Sequence, residues 1–176
     1  MKKNLLKKYR PYPHVAGLKE RTWPDKTLTK APSWCSVDLR DGNQALICPM
    51  NLKEKLLFFK KLVKIGFKEI EVGFPSAAAV EFDFLRTLID EKLIPKDVKV
   101  QVLVQAREHL IERTFQALKG TKGSILHIYN STSVNQRKIV FRKNQDEIKK
   151  LAVQGIKWVK KYNEKYKTNV VLQYSP

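Results

Sequence analysis

From residue 33 onward, short apolar segments alternate with longer amphipathic ones, and this alternation is the feature that most restricts the fold of the chain. Apolar segments rich in Val and Ile predict buried strands, whereas apolar residues spaced three or four positions apart predict helices. The predicted strands are residues 33–39, 67–74, 98–104, 124–129 and 169–174. Strands that alternate with helices form a parallel sheet with right-handed crossovers. The sequence therefore predicts an α/β fold.

Each of the four predicted helices has one apolar stripe. Asn51 with Glu54 forms a capping-box pattern at the start of the first helix, and Gly66 marks its end. Pro95 ends the second helix and Gly120 ends the third. The stripes consist of Leu52, Leu56, Phe59 and Val63; Phe82, Leu85 and Ile89; Ile111, Phe115 and Leu118; and Ile148, Ala152, Gly155 and Val159.

Two architectures fit this period, a doubly wound sheet and a (β/α)8 TIM barrel. No G-x-G-x-x-G motif follows the first strand, which disfavours a dinucleotide-binding sheet. Polar residues gather just after the strand ends, as they do in barrel enzymes. We therefore predict an incomplete TIM-barrel catalytic domain over residues 33–176, with the first four β/α units and the fifth strand. Because parallel strands are usually apolar on both faces, we expect an apolar inner face.

Residues 1–32 differ from the remainder of the chain. They contain four prolines, Pro11, Pro13, Pro24 and Pro32, and show no clean hydrophobic period. We interpret them as an irregular N-terminal arm that lies on the domain or on a partner subunit. Disorder is the alternative interpretation.

The net charge of +18 raises the question of a nucleic-acid partner. Lys and Arg are spread along the whole chain, and no zinc-finger spacing or RNP1-like segment occurs. We therefore regard nucleic-acid binding as the minor alternative and solvated Lys-rich helix faces as the main reading. The two cysteines, Cys35 and Cys48, form no C-x-x-C motif. With no signal-peptide pattern and no long apolar segment, we expect a cytoplasmic protein without a membrane span.

Residues 38–44 read Asp-Leu-Arg-Asp-Gly-Asn-Gln and follow the first predicted strand. Arg40 offers a rigid fork of hydrogen-bond donors for an oxyanion or a ketone oxygen. Asp41 offers a hard oxygen ligand for a divalent cation, and Gly42 permits a tight turn near a ligand. The alternative is an exposed Arg–Asp ion pair at a turn.

Two further polar residues interrupt apolar strands. Glu71 alternates with Ile70 and Val72, so it lies on the opposite face of its strand, where a buried carboxylate must be paired or bind a cation. A structural ion pair with Arg40 is the alternative. His127 lies inside an apolar strand, either as a core histidine or as a functional residue. A catalytic metal needs about three protein ligands, and the pattern offers only Asp41.

Several spaced motifs carry a family resemblance. The heptad at 38–44, Glu-Val-Gly-Phe-Pro-Ser-Ala at 71–77 and His-Ile-Tyr-Asn-Ser-Thr-Ser at 127–133 resemble the DRE-TIM metallolyases, which condense acyl-CoA substrates. With the arm segments 8–12 and 21–25, they resemble the long form of the 2-isopropylmalate synthase family. The likeness extends from about residue 8 to residue 176.

The resemblance implies a Claisen-type condensation of acetyl-CoA with 3-methyl-2-oxobutanoate, in leucine biosynthesis. It implies that Arg40 polarises the ketone oxygen and that Asp41 binds a divalent metal, Mg²⁺ or Mn²⁺, with Zn²⁺ as an alternative. Leu103 and His127 match residues that line the keto-acid pocket, and Ser175 matches a polar contact beside the catalytic base. Glu71 matches a carboxylate at the mouth of the barrel. The full-length family is expected to form homodimers.

In the family, a Glu that acts as the proposed base, and an H-x-H pair of metal ligands, come after the Tyr-Ser-Pro that this chain has at 174–176. We therefore expect the chain to be an N-terminal fragment that is inactive by itself. A sister activity, citramalate or homocitrate synthesis, changes only the keto acid and stays open.

Overall fold

The computed structural model describes residues 30–121 and 123–176. The predicted arm lies almost entirely outside these residues and stays a prediction. Residues Ser33–Pro176 form one compact unit built on a five-stranded parallel sheet. Its strands are β1 (Cys35–Ser36), β2 (Glu69–Gly73), β3 (Lys99–Gln105), β4 (Ser124–Tyr129) and β5 (Val171–Ser175).

The strand order in the sheet is β1-β2-β3-β4-β5, the same as the order along the chain. A doubly wound sheet reverses its strand order at a switch point, whereas a (β/α) barrel adds each strand beside the last. The observed order therefore favours the barrel. The prediction of an α/β fold with a partial barrel is confirmed, and the five strands form an open arc.

Four α-helices follow the first four strands, at Leu52–Ile65 (α1), Ala79–Asp90 (α2), Glu108–Leu118 (α3) and Gln145–Tyr166 (α4). The predicted capping box at the start of α1 is present, because Asn51 and Glu54 exchange side-chain-to-backbone hydrogen bonds of 2.8 and 3.1 Å. Gly66 ends α1 in the left-handed conformation, at φ +110°. None of the described helices is long and apolar enough to cross a membrane.

The hydrophobic core lies between the helices and one face of the sheet. Alternate residues of the strands face this core and are almost completely buried, because successive side chains of a strand point to opposite faces. The helices contribute their apolar stripes to the same cluster. The strand residues are Ile70, Val72, Val100, Val102, Val104, Leu126 and Ile128, and the largest helix residues are Phe59, Phe84, Leu85, Ile111, Phe115 and Leu118.

The first strand is shorter than the predicted 33–39, because it ends at Ser36. Residues Asp38–Gly42 form a π-helical turn in which the carbonyl of Val37 accepts hydrogen bonds from the N–H groups of Arg40, Asp41 and Gly42. Leu39 lies in this turn, not in a strand, and its side chain is fully buried. A second π-helical turn, Gln136–Phe141, precedes α4 and was not predicted.

Candidate active site

A cleft of about 450 Å³ opens on the face of the sheet that the helices leave uncovered, at the carboxyl ends of the strands. Four of the six predicted site residues line it, namely Arg40, Leu103, His127 and Ser175. Glu71 lies beneath these residues, and Asp41 lies beside Arg40. The fold thus gathers residues that are as much as 135 positions apart (40 to 175) into one place.

Arg40 is held by carboxylates on both sides. Its Nε donates a 2.6 Å hydrogen bond to Oε1 of Glu71, and its Nη1 contacts the Asp41 carboxylate. The Glu71 side chain is only 1% exposed, and that of Arg40 is 14% exposed. The structure therefore contains the ion pair between Arg40 and Glu71, which was one of the two interpretations of Glu71 from the sequence. Burial of Glu71 fixes the guanidinium at the floor of the cleft.

A hydrogen-bonded network connects Glu71 to the far side of the cleft. Gln101 Nε2 donates to Glu71 Oε2 at 2.7 Å and lies 3.4 Å from His127 Nδ1. On the other side of the ring, His127 Nε2 lies 2.7 Å from the Ser175 hydroxyl. Glu71 Oε2 also lies 3.6 Å from His127 Nδ1, so the imidazole lies between the buried carboxylate and the Ser175 hydroxyl.

Sequence reasoning missed Gln101, although a signal was present. Gln101 lies between Val100 and Val102 in the most Val-rich strand, in the same alternating position as Glu71 in its own strand. It is 3% exposed and joins Glu71 to His127. The expectation of an apolar inner face was accordingly wrong, since polar side chains occupy much of the open face.

Phe74 and Leu103 supply an apolar part of the cleft wall. Phe74 follows β2, and Leu103 pairs in register with His127 across β3 and β4. The cleft thus combines one guanidinium, one imidazole–hydroxyl pair and a small apolar surface. Such a set suits a small oxygen-bearing substrate with a short hydrocarbon tail.

Asp41 is the predicted metal ligand, and its side chain is 55% exposed at the rim of the cleft. Among residues 30–121 and 123–176, no three His, Cys, Asp or Glu side chains come together in a way that could hold a metal ion. Asp41 can supply one oxygen ligand, but the described residues alone do not complete a metal site.

Cys35 lies on β1 beside this network. Burial raises the pKa of its thiol to about 11, and the nearby carboxylates of Glu71 and Glu69 add to the rise. A hydrogen bond with the backbone of Glu71 and the charge of Arg40 lower the pKa but do not cancel the rise. Cys35 is therefore a protonated, weakly nucleophilic neighbour of the site at neutral pH.

The strand order and the polar cleft at the carboxyl ends of the strands define the class of (β/α)-barrel proteins that place their site at this end of the sheet. Comparison with known protein families makes this assignment specific. The chain belongs to the HMGL-like family, whose model matches residues 31–175.

Curated relatives named 2-isopropylmalate synthase match almost the whole chain. The relative from Clostridium acetobutylicum is 59% identical over 175 residues, covering 98% of this chain and 31% of the relative. The relative from Kineococcus radiotolerans is 56% identical over 172 residues, 96% of this chain and 30% of the relative. The relative from Corynebacterium efficiens is 54% identical over 175 residues, which cover 97% of this chain and 30% of the relative. The matches confirm the family resemblance, and the chain spans about 30% of the length of these relatives.

Proposed function

We propose that this chain forms part of the active site of a 2-isopropylmalate synthase. In that reaction the methyl group of acetyl-CoA loses a proton to a base, and its carbon adds to the ketone carbon of 3-methyl-2-oxobutanoate. The carbonyl electron pair moves onto oxygen, and hydrolysis of the thioester then releases CoA and 2-isopropylmalate. The identity of 52–59% to relatives with this name supports the proposal at the level of the family.

The observation that carries the proposal is the placement of Arg40 at the floor of the cleft, anchored by the buried Glu71. Addition to a ketone places negative charge on its oxygen, and a guanidinium already held in position stabilises that charge without reorganising. Among the described residues, the Arg40 side chain donates hydrogen bonds only through Nε and Nη1. We assign its Nη2 to the developing alkoxide.

We assign the keto acid to the space between Arg40 and the His127–Ser175 pair. The hydroxyl of Ser175 and the imidazole of His127 offer hydrogen bonds to substrate oxygens, and Leu103 offers an apolar contact to the isopropyl group. Glu71 acts on substrate indirectly, because it holds Arg40 and Gln101 rather than lining the cleft.

We assign Asp41 as one carboxylate ligand of a divalent metal, Mg²⁺ or Mn²⁺. The described residues offer neither the remaining ligands nor an unpaired carboxylate base in the cleft. We therefore propose that turnover requires residues beyond those described, and that the 176-residue chain is inactive when assayed alone.

The test replaces the matching region of the Clostridium acetobutylicum relative with this chain. CoA release is then followed with both substrates and Mg²⁺ or Mn²⁺, and the acid product is identified by mass spectrometry. We expect release that depends on both substrates from the chimera, and none from the 176-residue chain. A folded chimera that releases no CoA would refute the proposed activity, and release by the chain alone would refute its inactivity.

The same assay separates the sister activities. Pyruvate, the keto acid for citramalate, and 2-oxoglutarate, the keto acid for homocitrate, are offered beside 3-methyl-2-oxobutanoate. We expect the branched keto acid to have the highest kcat/KM, because Leu103 and Phe74 favour an apolar tail. A preference for either of the other acids would transfer the assignment to that sister activity.

A further inference from the structure

A second, narrower pocket of about 180 Å³ opens beside the cleft. Tyr129, Asn130 and Ser131, at and after the carboxyl end of β4, line both the cleft and this side pocket. A ligand that extends out of the cleft toward the side pocket must therefore pass Asn130.

Asn130 is 4% exposed, and one side of its amide is already engaged. Its Oδ1 accepts a 2.8 Å hydrogen bond from the hydroxyl of Tyr174 on β5. In the structure the amide is oriented with Oδ1 toward this hydroxyl. Nδ2 then lies on the opposite side, away from Tyr174.

Nδ2 of Asn130 is buried, and no group among residues 30–121 and 123–176 accepts a hydrogen bond from it. Buried polar groups in folded proteins are nearly always paired, so an unpaired donor in a pocket wall calls for an acceptor. An oxygen of a ligand in the cleft or the side pocket can supply this acceptor.

The walls of the side pocket have two kinds of surface. Apolar contacts come from Val140, Phe141 and Leu151, polar groups come from Gln105 and Gln136, and Arg107 adds a positive charge. A chain of methylene groups interrupted by amides matches the apolar and amide parts of this surface.

The segment that bounds the side pocket also carries a cluster of positive charge. Arg137 and Lys138 lie in the same π-helical turn as Gln136 and Phe141, and Arg142 and Lys143 follow directly. These four residues, together with one carboxylate, Asp146, line an open cavity of about 770 Å³ with a net positive charge. The side pocket therefore lies next to a surface that favours phosphate groups.

We propose that the side pocket binds the amide-bearing arm of the thioester co-substrate, and that Asn130 Nδ2 donates a hydrogen bond to an amide carbonyl oxygen of that arm. This inference rests on the proposed function, because acetyl-CoA is the ligand that combines a thioester, amides and phosphates in one chain. The keto acid stays in the cleft beside Arg40, and the arm leaves the cleft past Asn130.

The experiment uses Asn130→Asp in the full-length chimera. The substitution keeps the shape of the side chain and the oxygen that faces Tyr174, but it replaces the donor with an acceptor. Asn135→Asp is the matched control, because it makes the same change at an exposed position at the start of the π-helical turn Gln136–Phe141. Kinetics are measured with acetyl-CoA, with acetyl-pantetheine, which has the amides but lacks the nucleotide, and with varied keto acid.

We expect Asn130→Asp to raise KM for both thioesters by about tenfold or more. We also expect the KM of Asn130→Asp for the keto acid to stay within about twofold of the parent. For Asn135→Asp, the KM values for the thioesters and for the keto acid should all stay within the same range. Unchanged KM for the thioesters, or a rise confined to the keto acid, would overturn the proposal.

A second measurement separates this inference from the proposed reaction. Equilibrium dialysis of labelled pantetheine and CoA against the 176-residue chain reports binding without turnover. We expect Asn130→Asp to weaken binding of both ligands by a similar factor and Asn135→Asp to leave it unchanged. Absence of CoA release by the chimera would refute the proposed reaction alone, whereas absence of an Asn130-dependent difference in dialysis would refute the side-pocket assignment.

Discussion

The two faces of the sheet differ in composition and in surroundings. The helix-covered face presents Ile70, Val102, Leu126 and their neighbours, all buried against the helices. The open face presents Glu71, Gln101 and His127 on the same strands, one position away in sequence.

The difference shows how one strand serves two purposes. Because side chains alternate between the faces, a single strand can place Val100 and Val102 in the core and Gln101 in the polar network. The core face stabilises the fold by burying apolar area. The open face gives up part of that burial and places polar groups where a substrate can reach them.

The largest expected effect compares one leucine on each face. Leu126→Ala removes a fully buried side chain from the helix-covered face and should lower the free energy of unfolding by about 3–5 kcal/mol. Leu103→Ala, at the cleft, should cost only about 1–2 kcal/mol because water can fill the opened side. Urea denaturation followed by circular dichroism measures both. Equal losses would mean that the two faces are packed alike.

The next expected effect concerns catalysis on the open face. Arg40→Lys keeps the charge but loses the planar fork and the Nε contact to Glu71. In the chimera, kcat should fall by about 100-fold or more, with a smaller change in KM. Arg113→Lys, an exposed arginine on α3, is the control and should leave kcat unchanged. A normal kcat in Arg40→Lys would remove Arg40 from its proposed role.

The thiols provide a third comparison. Cys48 is exposed, whereas a pKa of about 11 keeps the Cys35 thiol almost fully protonated at pH 8. At that pH, iodoacetamide should therefore alkylate Cys48 roughly 100 times faster than Cys35. Mass spectrometry of digested samples gives the two rates, and in urea they should converge. Glu71→Gln should speed alkylation of Cys35, because the Glu71 carboxylate helps to raise its pKa. Equal rates in the native chain would contradict the raised pKa of the half-buried Cys35.

The smallest expected effect concerns the outer surface of the helices. Hydrogen bonds from Lys161 and Lys165 on α4 lower the pKa values of Glu108 and Glu112 on α3 below their ordinary 4.5. Since the folded chain holds these protons less tightly than the unfolded chain, the stabilisation is present above about pH 4.5 and is lost as pH falls through the lowered values.

Urea midpoints at pH 7, 5, 4 and 3 test this prediction. The double variant Glu108→Gln with Glu112→Gln should lose less stability between pH 5 and pH 3 than the parent. Because these pairs are exposed, the difference should be small. Identical pH profiles would show that the pairs do not contribute to acid sensitivity.

The sequence predicted the fold class well and the site in part. The apolar stripes and the capping box at Asn51 are local patterns, so they predicted α1 and the core without knowledge of the remainder of the chain. Arg40 and Glu71 were each identifiable as polar residues at strand ends. Gln101 was missed because its role depends on two partners, at positions 71 and 127, that local pattern does not connect.

The boundary of β1 was missed for a related reason. The apolar residues at 34–39 fit a strand by composition. In the structure, however, the N–H groups of residues 40–42 donate hydrogen bonds to the carbonyl of Val37, so the chain forms a π-helical turn there. Local propensity does not distinguish these outcomes. Packing of Leu39 into the core accompanies the turn, and this contact is tertiary.

The sequence by itself determined the alternation of strands and helices, the side of each element that faces the core, and the residue types available for chemistry. These properties follow from the periodicity of side chains along one element. Only the tertiary structure decided that Glu71 anchors Arg40, that Gln101 joins Glu71 to His127, and that Asn130 presents a buried donor beside the cleft. Such contacts depend on the register between strands that are distant in the chain, and the period of a single strand does not encode that register.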